Sequence, residues 1–172
     1  MNPAQKKVAV GAGSGVLSMV LLVIVLSMAL AAPQDVAGLA ERIAYALRWN
    51  VIAAVPFFIM VVSVANSRFL SDAIDPLAQK ETLAQIVNGR VTDNTLQQNF
   101  LFLVATLALS TVLSPQRLQV IPAMTIVFVL ARITFWIGYR VDPLLRAPGM
   151  AATAYLNLGG LLAAVYLAFV AT

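Results

Sequence analysis

The chain has 172 residues, of which 61% are hydrophobic and only 10% charged, too little charge to cover a soluble globule. At about 20 residues per membrane-spanning helix, that length allows five or six spans and leaves no room for a separate soluble catalytic domain. Absence of Cys and His removes disulfides, protein thiolates, imidazole bases and the commonest metal ligands. The net charge of +4 comes from basic residues scattered singly around apolar runs, which points to membrane topology and away from nucleic acid.

The first apolar run, Val8 to Ala32, follows Lys6 and Lys7 and ends at Pro33. It is long enough to span a bilayer. Ala29-Leu30-Ala31 also fits a small-x-small cleavage site, so residues 1–38 are read as either a transmembrane anchor or a signal peptide. The length of the uninterrupted run favours the anchor. A second helix is predicted from about Leu39 to Asn66, with Arg48 and Trp49 suited to the headgroup layer.

A polar loop is predicted over about residues 67–93, with a turn at Asp75-Pro76. A third helix is predicted from about Asn88 to Leu113 and a fourth from Leu118 to about Arg140, separated by Ser114-Pro115. The fifth runs from Gly149 to about Ala171, after turns at Asp142-Pro143 and Ala147-Pro148-Gly149. Counted by alternate sides, Lys6, Lys7, Arg68, Lys80, Arg90, Arg140 and Arg146 face Arg42, Arg48 and Arg117 across the membrane. Seven against three places the N-terminus and the 67–93 loop in the cytoplasm and the C-terminus outside.

Arg132 lies eight residues before Arg140, about 12 Å inside the end of its helix at 1.5 Å per residue. An arginine at that depth costs on the order of 3 kcal/mol and faces a bundle interior or a wet cavity. It either binds an anionic or polar ligand or is tied to carbonyls and a neighbouring helix. Phe135, Trp136 and Tyr139 follow it at i+3, i+4 and i+7 and share its face, as a cation–π cluster or as the wall of an amphiphile pocket. On the third helix Arg90, Asn94, Gln97, Gln98 and Leu101 are predicted to form one polar stripe, whose amides need partners on another helix or a ligand. Gly11 and Gly15 form a Gly-x-x-x-Gly, and Gly159-Gly160 a second small-residue surface, both read as helix contacts. Nothing has metal-ligand spacing.

Three segments together carry a resemblance: Asn94-Thr95-Leu96-Gln97-Gln98, the stretch Ala131-Arg132-Ile133-Thr134-Phe135-Trp136-Ile137-Gly138-Tyr139, and Arg146-Ala147-Pro148-Gly149. They resemble the MAPEG family, membrane-associated proteins in eicosanoid and glutathione metabolism, over roughly residues 43–169. The extra first span and the Phe-Trp-x-Gly-Tyr wording look more like its bacterial or mattrin-like branch. The resemblance implies an all-α fold in which residues 39–172 form a left-handed four-helix bundle, with one extra N-terminal transmembrane helix. It further implies a homotrimer holding glutathione between subunits near the cytoplasmic side. Arg132 and Tyr139 match the family's catalytic arginine and tyrosine, and Arg90 and Asn94 match two glutathione contacts. Arg146 belongs to the same implied binding set. Gln97 stands where the family has a glutamate that would pair with the ammonium group, and Asp93 stands where a basic residue is common. Both changes weaken docking of the tripeptide. The implied activities are glutathione transfer or peroxide reduction on lipophilic substrates; the competing expectation is a non-enzymatic scaffold or lipid-binding protein.

Overall fold

The computed structural model describes residues 1–75 and 77–170. It is all-helical among those residues: α1 (Pro3–Ala29), α2 (Leu39–Phe69), α3 (Leu83–Val112), α4 (Val120–Val141) and α5 (Ala147–Phe169), with short 3-10 turns at Asp72–Ile74, Pro115–Arg117 and Pro143–Arg146. Each of the five, counted with its flanking turn, is long and apolar enough to cross a membrane. The outer surface is correspondingly apolar, with Leu17, Phe58, Phe100 and Leu162 all more than half exposed, as lipid contact requires.

The starts and stops follow local chemistry. Asn2 caps α1 by accepting from the Gln5 N–H at 2.8 Å, and Pro3 occupies the first turn, where its missing N–H costs nothing. Thr82 caps α3 reciprocally with Gln85, whose Oε1 accepts from the Thr82 N–H at 2.8 Å. That capping box corrects the expected boundaries. The third helix begins at Leu83 rather than Asn88, so the predicted 67–93 loop shrinks to 70–82; Arg90 and Asp93 are helical, as a helix from Asn88 requires. The missed first turns, Leu83 to Val87, are mostly apolar but too short to stand out between Lys80-Glu81-Thr82 and the polar residues from Asn88 to Asp93. The predicted turn at Asp75-Pro76 includes Pro76, and the predicted end of the fifth span at Ala171 likewise lies outside the described residues; α5 stops at Phe169.

Helix pairing runs α2 on α3, α3 on α5, α5 on α4 and α4 on α2, with α3 also touching α4. The core they share centres on Phe102, Phe128, Ile121, Val127 and Leu156, with the Phe102 and Phe128 rings 4.5 Å apart. α1 lies against α5 and α4. Its seat depends on Gly15: a Cβ there would fall 2.2 Å from the Pro148 carbonyl oxygen, so only glycine permits this approach. Gly11 marks a second close approach, where a Cβ would fall 3.2 Å from Pro148 Cδ. Lys7 fastens the helix start, donating to the Asp142 carboxylate at 2.5 Å. Of the other expected small-residue surface, Gly160 packs on Met124 and Ala105, whereas Gly159 meets nothing.

Candidate functional site

Arg132 is fully buried between three helices. Its Nη1 donates to Asn94 Oδ1 of α3 at 3.1 Å and to Thr153 Oγ1 of α5 at 3.3 Å, while Nε and Nη2 have no partner. The guanidinium carbon lies 4.1 Å from the Phe135 ring centroid. Among the described residues no carboxylate pairs with it; the two ion pairs are Lys7–Asp142 and Arg68–Glu81. A buried cation without a counter-charge and with two unpaired donors carries a positive potential that nothing in the single chain balances. Thr153 is itself anchored, donating to the Gly149 carbonyl.

From Arg132 two rings and then a second cation lead in line to the end of the molecule that carries the N-terminus. Phe135 meets Tyr139 edge-on at 5.8 Å, and Arg146 covers the Tyr139 ring at 5.0 Å. Arg146 is held in place by donation from Nη1 to the Pro143 carbonyl at 2.6 Å. Tyr139 also lines a cleft of about 460 Å³ together with Arg140, Pro143, Leu83, Ala84 and Val87. The close approach of α4 to the following turn that makes this possible needs Gly138, whose Cβ would lie 2.3 Å from the Leu145 carbonyl oxygen.

The expected polar stripe on α3 is divided. Gln98 is buried in the core, Asn94 is half-buried against Arg132, and Arg90 and Gln97 point outward and are exposed. The helix turns its Asn88, Val91, Thr95, Gln98 and Phe102 line inward, which puts Arg90 and Gln97 about 120–140° from the middle of that line. Within one chain, then, Arg132, Asn94, Tyr139 and Arg146 form one connected set, and Arg90 and Gln97 stand outside it. Asn94 is the side chain that separates Arg132 from that outer face.

Several polar contacts were not anticipated. Asn157 Nδ2 donates to both the Gln98 carbonyl and Gln98 Oε1, at 3.0 and 2.9 Å. Asn50 Nδ2 donates to Thr106 Oγ1 at 2.9 Å and Trp136 Nε1 to Asn88 Oδ1 at 3.1 Å. Thr153 and Asn157, four residues apart in an otherwise apolar helix, are the sequence signal that could have found the α5 side of this network. Comparison with protein-family models, with curated proteins and with solved structures returns no match for this chain.

Proposed function

We propose that the chain is a MAPEG-like integral membrane protein, its α2–α5 forming a left-handed four-helix bundle and its subunits a homotrimer, with a cytoplasmic-side intersubunit cleft for glutathione or an amphiphilic lipid. The observation that carries the reading is Arg132: a buried guanidinium with free Nε and Nη2 and no acidic partner among the described residues. Trimer formation gives Arg90 and Gln97 a role, because their exposed positions on α3 suit contact with a neighbouring subunit or with a ligand held there. The seven-to-three basic bias supports a cytoplasmic N-terminus.

Glutathione fits this set in part. Two idle Arg132 donors suit a thiolate or carboxylate, and the Tyr139 hydroxyl can donate a further hydrogen bond. Gln97 in place of an acid and the exposed Asp93 oppose the ammonium and carboxylate ends of the tripeptide. Bound glutathione supplies a nucleophilic thiol. Arg132 would favour its ionised form by its positive field, Tyr139 would orient it, and the surrounding apolar helices would hold the lipophilic electrophile.

The enclosure of Arg132 behind Asn94 favours a second reading, a non-enzymatic lipid-binding or scaffold protein in which Arg132 ties α3, α4 and α5 together. Calorimetry of the detergent-solubilised protein with glutathione separates the two. Saturable heat that disappears in Arg132→Ala supports the transferase reading; no heat up to millimolar glutathione moves the protein to the second.

A further inference from the structure

A separate cavity of about 390 Å³ lies toward the end of the molecule where α3 stops and α4 starts, far along the helices from Tyr139. Its lining includes Val20 and Ile24 of α1, Leu109 and Leu113 of α3, Met124 of α4 and Gly159 of α5. It exists because α1 and α3 both pack on α5 and α4 but hardly on each other. Gly159 borders its open space, since a Cβ there would meet no atom within 4 Å. Val20 and Ile24 are 42% and 51% exposed, so the cavity is a groove along the flank of the molecule.

Such a space equals about a dozen water volumes at roughly 30 Å³ each, yet its apolar walls give water no partners. Left empty, its lining would forfeit dispersion contacts. A hydrocarbon chain satisfies both conditions. The rim is cationic. The Leu113 carbonyl accepts from Arg42 Nη1 at 2.9 Å, and Arg42 Nε is buried without a partner. Arg117 stands exposed in the 3-10 turn joining Leu113 to the start of α4. Glu41, the acid adjacent to Arg42, is folded over Gly38 and pairs with neither arginine.

We propose that this groove holds one acyl chain of an anionic glycerophospholipid, with its phosphate taken by Arg42 and Arg117 at the rim. The site is distinct from the Arg132 set and does not rest on the function proposed above. Its occupant fills the gap between α1 and α3.

Native mass spectrometry of the delipidated full-length protein in detergent tests this, with phosphatidylglycerol and phosphatidylcholine of identical chains as probes. One phosphatidylglycerol per chain should survive collisional activation, preferred over phosphatidylcholine by roughly fivefold for each rim arginine. Arg117→Gln should lower that preference while keeping the lipid. Gly159→Leu, which places a side chain in open space, should expel both lipids without lowering the unfolding temperature; Ala163→Leu, on the same groove, serves if Gly159→Leu does not fold. Equal retention of the two lipids, or retention unchanged in the leucine variant, overturns the proposal. So does a groove filled by a second copy of the chain, seen as an oligomer that Gly159→Leu dissociates while no lipid is retained.

Discussion

Arg132 carries two separable consequences, one for ligand binding and one for stability. Replacing a buried, uncompensated charge by an apolar side chain of similar length is commonly neutral or stabilising, because the desolvation of the ion is relieved. Arg132→Met is therefore expected to keep or raise the unfolding temperature in detergent while abolishing any anion binding at Asn94 and Thr153. Arg132→Ala leaves a hole among Phe135, Asn94 and Thr153 and should cost on the order of 2–3 kcal/mol, read from the same unfolding curves. A binding defect in both variants with a stability defect in only the alanine form would assign the guanidinium to recognition. Asp142 gives a pH-dependent counterpart at the molecular surface. The Lys7 ammonium, followed by the Leu144 N–H, holds its carboxyl below the usual 3.8. Because the folded value is depressed, the stabilising contribution is present above the ordinary carboxylate range and is lost as pH falls through the lowered folded value. Lys7→Ala should move the Asp142 midpoint upward, which carboxyl carbon NMR resonances report directly.

Among the elements, α1 is the one whose attachment rests on the smallest residues. Its seat is made by Gly11 and Gly15 on Pro148 and by the Lys7–Asp142 pair. Gly15→Leu would drive a side chain into the Pro148 backbone and is expected to destabilise by on the order of 1–3 kcal/mol, as overpacking does. Gly13→Leu is the matched control, since a Cβ at Gly13 meets nothing within 4 Å; thermal unfolding of the two variants should differ in that order. α3 has the opposite character, joined to each of its neighbours by polar groups: Asn50 from α2, Trp136 and Arg132 from α4, and Asn157 from α5. Hydrogen bonds of this type inside membranes average about 0.6 kcal/mol and reach about 1.7. Asn157→Leu strands the Gln98 acceptors and is expected to fall at the upper end of that range in a reversible unfolding titration. These contacts lie one above another along α3, so they also fix how each neighbour is rotated about its own axis.

At the level of the assembled protein, Arg90, Asp93 and Gln97 leave a polar face on α3 uncovered in the single chain. Hydrocarbon is a poor neighbour for amides and charges. On the proposed MAPEG-like reading that face is covered in a homotrimer, and the mass measured by light scattering in detergent should then equal three chains; a single-chain mass would overturn the trimer and its intersubunit cleft.

The five helices long and apolar enough to span were legible because hydrophobic length needs no knowledge of partners: runs such as Val8 to Ala32 must satisfy their backbone internally as helices wherever they lie. The shared face of Arg132 with Phe135 and Tyr139 was legible for a similar reason, since i+3 and i+7 spacing follows from helix geometry alone. The start of α3 was missed because the short run Leu83 to Val87 lies between polar segments, Lys80-Glu81-Thr82 before it and Asn88 to Asp93 after it, and only the Thr82–Gln85 cap with the packing of Asn88 and Val91 makes it the first turns of the helix. The stripe containing Arg90 and Gln97 divided because periodicity names a face but not its rotation about the helix axis. That rotation was decided by tertiary contacts, chiefly Gln98 on Asn157 and Asn94 on Arg132, whose partners lie 59 and 38 residues away in the chain. The seat of α1 and the groove beside it belong to the same class: glycines mark where a close approach is possible, and only the packed helices determine which backbone comes near.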